Sequence, residues 1–148
     1  MSPLLRGKFE KPYPLAPAPH LRAPFSVRKL FWGTSVALLP LWASAWVIFG
    51  WNAPRVVLFS IGFGILWESL VQLSRKSKIN ITDGSTVLAS FLFALLMPPS
   101  VSIPMMGLGA FFTVVVGKEI FGGLGQNIFH PALVGYAVLA ALFPDAFA

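Results

Sequence analysis

Four charged side chains in otherwise apolar surroundings could carry chemistry. Glu68 lies within an apolar run, where an acid suggests proton or ion handling. It also lies seven residues before Arg75, about two helical turns, so pairing with that basic region is the structural alternative. Asp83 precedes a short apolar run, where it would cap a helix or mark a half-helix whose positive end faces an anion or orders a cation. Lys118 and Glu119 predict either an ion pair at a helix end or the wall of a site.

A glycine-rich stretch follows this last pair and predicts a place where a flat ligand approaches the backbone. Its members are Gly122, Gly123 and Gly125, with Asn127 directly after them. The spacing is not that of a dinucleotide fingerprint, and no strand pattern precedes it.

His130 follows Asn127 by three residues and precedes a proline, a place typical of a hydrogen-bonding residue at a helix start. The other histidine, His20, lies far away near the N-terminus, so we expect no metal site with several histidines. The chain has no cysteine, which excludes thiolate ligands and disulfides from it. The serines have no histidine–acid context, so we do not expect the chain to be an enzyme alone.

The composition predicts an integral membrane protein, whose helices would position these residues. Of 148 residues, 56% are hydrophobic and 11% are charged, whereas a soluble domain carries roughly 25% charged residues. A soluble fold of this length has too little interior to hide so much apolar surface.

The net charge of +6 reflects the placement of basic residues beside apolar runs, which indicates membrane orientation rather than nucleic-acid binding. Six of the eleven lysines and arginines, and six of the thirteen prolines, lie in residues 1–29. We interpret residues 1–29 as a proline-rich cytoplasmic arm and residues 30–148 as the transmembrane helical domain. A second basic group, Arg75, Lys76 and Lys78, lies two spans later, so both groups predict a cytoplasmic N-terminus.

The apolar segments predict an all-α fold of about five helices. Residues 30–49 lack charge and would span about 30 Å, with Pro40 expected to kink the helix. A turn at 50–54 precedes a second span at 54–73. Three shorter runs at 86–97, 103–116 and 128–143 are typical of broken or re-entrant segments, which line a cavity or are buried in protein.

Two motifs resemble the NqrB/RnfD family of membrane subunits, found in sodium-pumping NADH:quinone reductase and in the Rnf ferredoxin:NAD oxidoreductase. The first is Thr82-Asp83-Gly84-Ser85 with its apolar run to Pro98-Pro99, and the second runs from Gly117 to Gly135. The resemblance covers about residues 30–143. It implies one half, the N-terminal half, of a fold of two inverted repeats similar to urea channels.

The resemblance also implies a flavin. In the family, a threonine motif of the second half bears covalent FMN, and nothing in this chain matches it, so covalent FMN is not expected here. The glycine-rich stretch of the family contributes to a non-covalent riboflavin pocket with two asparagines spaced by three. Asn127 matches the first, and His130 stands at the second, where a ring nitrogen can donate or accept. The resemblance thus implies non-covalent riboflavin or FMN near Asn127, His130, Gly122, Gly123 and Gly125.

Three functions follow from these observations. The first is a membrane subunit of a multisubunit electron-transfer complex in the bacterial inner membrane, with other membrane subunits as partners. The second is a cofactor-free accessory subunit that stabilises a larger respiratory or photosynthetic complex. The third is a small channel made of two oppositely inserted copies, which the one-sided basic charge disfavours.

Overall fold

The computed structural model describes residues 26–75, 81–122 and 127–147, in which every regular element is helical. Six α-helices and one π-helix follow in order: α1 (Val27–Ala37), α2 (Leu39–Phe49), α3 (Asn52–Ser74), α4 (Ser85–Leu96), α5 (Ile103–Phe111), the π-helix (Phe112–Glu119) and α6 (Pro131–Leu142). Short 3₁₀ turns lie at Ile81–Asp83 and Pro144–Ala146. The expected all-α membrane fold is confirmed, and each of the five predicted segments corresponds to a helix or a helix pair.

The first predicted span is interrupted at Leu38, two residues before Pro40. A proline lacks the N–H that would continue the helical ladder, so α2 restarts with Pro40 in its first turn. The helix also begins earlier than the sequence suggested, because the Ser26 side chain accepts a hydrogen bond from the Lys29 N–H at 3.3 Å. Lys29 therefore lies in α1 rather than in the arm, and residues 1–25 of that arm lie outside the described residues.

Two stretches are long and apolar enough to cross a membrane, Val27–Phe49 and Asn52–Ser74. They differ in their surroundings. Only 6% of the apolar window in the first is buried, compared with 33% in the second. Helix α3 therefore runs through the helical bundle, whereas α1 and α2 pack on its outside.

The shorter helices follow the apolar runs, with two differences from the predicted bounds. Helix α4 matches its prediction to within one residue. The run predicted at 103–116 continues to Glu119, because the backbone passes from α5 directly into the π-helix. The run predicted at 128–143 begins only at Pro131, a residue suited to the first helical position because its missing N–H would have no partner there.

The core lies between α3, α4, α5 and α6, where Phe93, Met106 and Leu139 are fully buried. Close contact between α3 and α4 depends on Gly64, since a Cβ there would lie 2.0 Å from the Ser90 hydroxyl oxygen. This approach brings the face of α3 that carries Glu68 against the first turn of α4.

Candidate functional site

A buried ion pair joins α3 to the π-helix. The Glu68 Oε1 atom lies 2.6 Å from Lys118 Nζ, and the two side chains are 1% and 5% exposed. The predicted pairing of Glu68 with the basic group at Arg75 is therefore wrong. Glu68 faces the interior of the bundle, where Lys118 reaches it, whereas Arg75 directly follows the C-terminal end of α3 and is half exposed.

Lys118 uses all three of its donors inside this site. Besides Glu68, its ammonium donates to Ser85 Oγ and to Thr86 Oγ1, each at 2.7 Å. Both hydroxyls belong to the first turn of α4. A buried charge pair is tolerated when further hydrogen bonds satisfy its atoms, and the two hydroxyls fulfil this role for the ammonium. The second carboxylate oxygen, Glu68 Oε2, is buried and has no hydrogen-bond partner among the described residues.

Asp83 extends the network towards the surface. Its Oδ1 atom accepts hydrogen bonds from the Ser85 N–H and from the Ser85 hydroxyl, both at 3.0 Å. Asp83 thus satisfies a free N–H at the start of α4, as the capping interpretation expected, although Gly84 occupies the N-cap position itself. Gly84 adopts a left-handed backbone with φ of 78°, which suits glycine.

Glu119 belongs to a second, more exposed pair. The Arg75 guanidinium donates to Glu119 Oε2 at 3.3 Å and to the Glu119 carbonyl oxygen at 2.8 Å. Lys118 pairs with Glu68 of α3, whereas Glu119 pairs with Arg75, the C-cap of α3. The two neighbours therefore do not form one ion pair at a helix end. The π-helix closes here with the Ile120 N–H bonded to Val115 O, five residues earlier. Such π geometry occurs frequently at functional sites.

A cleft of about 200 Å³ opens beside the ion pair. It lies between α1, α4, the π-helix and the start of α6, and its lining comprises Phe31, Ser85, Leu88, Ala89, Leu92, Lys118, Asn127, His130 and Pro131. The structure therefore places Asn127, His130 and Lys118 around one cleft. Gly122 lies in the turn after the π-helix with φ of 102° and is not one of the cleft residues, and Gly123 and Gly125 lie outside the described residues.

Gly117 allows the walls of the cleft to meet. A Cβ at this position would lie 2.8 Å from Pro131 Cα and 3.2 Å from Pro131 O, so only glycine lets the start of α6 approach the π-helix this closely. His130, the residue before α6, is thereby held beside the cleft together with Lys118.

The sequence alone did not identify Ser85, Thr86 or Phe31 as parts of the site, and it named Arg75 only as a partner for Glu68. Ser85 and Thr86 directly follow Asp83 and Gly84, and their position in a first helical turn was the available signal. Across the described ranges, no three histidine, aspartate or glutamate side chains gather as a metal site.

Comparison with known proteins assigns the chain to a family. A family model described as "NQR2, RnfD, RnfE family" matches residues 15–148. The chain belongs to this family. The match includes every described residue of the ion-pair network and of the cleft.

Curated relatives share about a third of their aligned residues with the chain. A subunit of the proton-translocating ferredoxin:NAD(+) oxidoreductase complex of Clostridium ljungdahlii is 35% identical over 134 residues, covering 90% of the chain and 40% of the relative. A subunit of the ion-translocating oxidoreductase complex of Methanosarcina acetivorans is 34% identical over 128 residues, covering 86% of the chain and 44% of the relative. A subunit of the ion-translocating oxidoreductase complex of Escherichia coli is 38% identical over 111 residues, which is 74% of the chain and 32% of the relative. The chain thus spans less than half the length of these relatives.

Proposed function

We propose that this chain acts as a membrane subunit of an ion-translocating electron-transfer complex, together with other membrane subunits. Family membership, the two membrane-crossing stretches and the names of the relatives support this function. We also propose the bacterial inner membrane as its location, with the N-terminus in the cytoplasm. The basic residues before the first span and after the second support this orientation.

The cleft beside Lys118 is the observation on which a cofactor role depends. Beyond Ser85 its α4 wall is apolar, with Leu88, Ala89 and Leu92, whereas Asn127 and His130 offer hydrogen-bonding groups on the α6 side. This division suits the head group of a flavin, which has an apolar ring surface and a polar edge of carbonyl and N–H groups. We therefore propose non-covalent riboflavin or FMN as the ligand.

A bound flavin would supply the electron-transfer chemistry that side chains lack. In this proposal Asn127 and His130 orient its polar edge. The apolar residues of α4 and Phe31 of α1 exclude water from its rings. Lys118 contributes a positive charge at the wall, held in place by Glu68 and the hydroxyls of α4.

The test is the flavin content of the purified complex, measured by visible absorbance and by extraction. The Asn127→Leu variant removes a polar group from the cleft and is expected to lower the ratio of flavin to protein. Asn52→Leu is the matched control, because Asn52 is an exposed asparagine at the start of α3, away from the cleft. An unchanged ratio in Asn127→Leu would contradict the assigned pocket.

A cofactor-free accessory role is the second candidate, favoured by a different surface. An apolar groove of about 380 Å³, lined by Trp32, Trp42 and Phe91 among others, separates α1 and α2 from α3 and α4. With the sparsely buried first span, it would suit packing against helices of a larger respiratory or photosynthetic complex. Co-purification with pigment or haem proteins and without flavin would favour this role.

A further inference from the structure

The hydrogen bonds around Lys118 form one continuous chain that leads out of the protein interior. We propose that Asp83, Ser85 and Lys118 deliver protons from the aqueous boundary to the cleft, with Glu68 as the fixed counter-charge. This inference rests on the proposed function, because it requires a proton acceptor in the cleft.

The geometry of the chain is continuous at hydrogen-bond distance. Lys118 Nζ donates to Ser85 Oγ at 2.7 Å, and Ser85 Oγ donates to Asp83 Oδ1 at 3.0 Å. Burial decreases in the same direction: Lys118 is 4% exposed and Ser85 is 8% exposed, whereas Asp83 is half-buried just before the start of α4. Asp83 can therefore exchange a proton with water, and Lys118 can exchange one with the cleft that it lines.

In the observed state the donors run outward, from Lys118 to Ser85 and from Ser85 to Asp83, so inward transfer requires both hydrogen bonds to reverse and then to return. Glu68, Ser85 and Thr86 accept all three Nζ N–H bonds, so Lys118 must first turn one N–H from Thr86 towards the cleft. After this proton passes to a group in the cleft, the amine turns back and its free lone pair faces the Ser85 hydroxyl. The Ser85 hydroxyl then turns, passes its proton to Nζ, and takes one at Oγ from the protonated Asp83 carboxyl group. Asp83 is reprotonated by water. Only N–H and O–H bonds break and form, and the sum is one proton moved from water to the cleft.

Glu68 does not pass protons onward in this arrangement and is not part of the path. It is fully buried, does not line the cleft, and holds the Lys118 ammonium at 2.6 Å. Its carboxylate remains beside Nζ as the counter-charge within the site.

Other polar and charged groups lie near Lys118, but none interrupts the path. Thr86 accepts a hydrogen bond from Lys118 and lies one residue further into α4 than Ser85. Glu119 and Arg75 bind one another, and His130 lines the cleft from the start of α6. His130 is therefore the titratable group that shares the cleft with Lys118 among the residues described.

The experiment measures proton uptake by the purified complex after rapid reduction, with a pH-indicator dye in stopped flow. Asp83→Asn is expected to slow uptake by about a hundredfold or more, the scale of a lost proton-transfer group. Asp83→Glu is expected to retain the wild-type rate. Added acetate is expected to restore the Asp83→Asn rate, because a small weak acid can replace a missing carboxyl donor. Asp145→Asn is the matched control, since Asp145 is an exposed acid in the C-terminal turn.

A second pair of variants tests the hydroxyl step. Ser85→Ala removes the relay atom and is expected to slow uptake even with acetate present, whereas Ser85→Thr keeps the hydroxyl and is expected to preserve uptake. A merely structural role for Asp83 would leave its asparagine variant without rescue by acetate, which would overturn the relay.

The results of this experiment distinguish failure of the relay from failure of the proposed function on which it rests. If the wild-type complex retains flavin and takes up protons, but Asp83→Asn does so at the wild-type rate, the relay is overturned and the proposed function stands. If the wild-type complex contains no flavin and takes up no proton on reduction, both are overturned.

Discussion

Glu68 and Lys118 lie 50 residues apart in the chain, yet their charged atoms are 2.6 Å apart in the interior of the bundle. The contact connects α3, the apolar span at the centre of the fold, to the end of the π-helix. It also places one charged group, Lys118, at the wall of the cleft, while its partner remains outside the cleft. The pair therefore links packing of the bundle to the electrostatics of the site.

Removal of one partner of this pair is expected to be strongly destabilising. In Lys118→Met, Glu68 would remain as a buried charge without a counter-charge, at a cost of about 3–5 kcal/mol. In the double variant Glu68→Met with Lys118→Met no charge remains, so much of this loss is expected to be recovered. Denaturant or thermal unfolding in detergent measures both. The coupling would be contradicted if the double variant lost more stability than the Glu68→Met and Lys118→Met variants lose in sum.

The Arg75–Glu119 pair is expected to contribute much less, because the Arg75 side chain is 48% exposed and its charge is screened by water. Arg75→Met is expected to cost no more than about 1 kcal/mol, with a smaller difference from wild type at high salt. Arg75→Lys keeps the charge but loses the fork that reaches the carboxylate Oε2 and the backbone carbonyl oxygen of Glu119. A loss as large as that of Lys118→Met would show that this pair also acts as a buried one.

Gly117→Ala tests the contact that forms one corner of the cleft. The added methyl group would lie 2.8 Å from the Pro131 Cα atom, a backbone atom that moves only with α6. We expect lower thermal stability and weaker riboflavin binding, because His130 moves together with the start of α6. Gly33→Ala is the control, since outside the backbone of its own helix and its chain neighbours nothing lies within 4 Å of a Cβ there, and alanine favours a helix. Equal behaviour of the two variants would contradict the proposed close packing.

The sequence predicted the elements of this fold well because their signals are local. Hydrophobic length, Pro40, and the proline pair after α4 each act on the residues beside them. The π-helix could not be predicted in this way. Its wider turns depend on how the segment packs between α3, α4 and α6, and the apolar run 103–116 contains no sign of it.

The site was predicted in its parts but not in its pairing. Glu68, Asp83, Lys118 and Glu119 stood out as charges in apolar surroundings, and the structure places all four in two neighbouring networks. Spacing along one helix favoured Arg75 as the partner of Glu68, whereas the actual partner comes from an element 50 residues away. Such a pairing depends on how helices pack, which one chain's periodicity does not contain.

The orientation of the chain in the membrane can be tested directly, because the sequence has no cysteine and each introduced thiol is unique. With the N-terminus in the cytoplasm, Asn52 at the start of α3 faces the opposite side. An Asn52→Cys variant is then expected to react with a membrane-impermeant maleimide in intact spheroplasts. Ser77→Cys, within the second basic group, is expected to react only in inverted vesicles, because lysines and arginines are retained on the cytoplasmic side. Labelling of Ser77→Cys in intact spheroplasts, with protection of Asn52→Cys, would reverse the orientation and would place Asp83 and the outer end of the relay on the opposite side of the membrane.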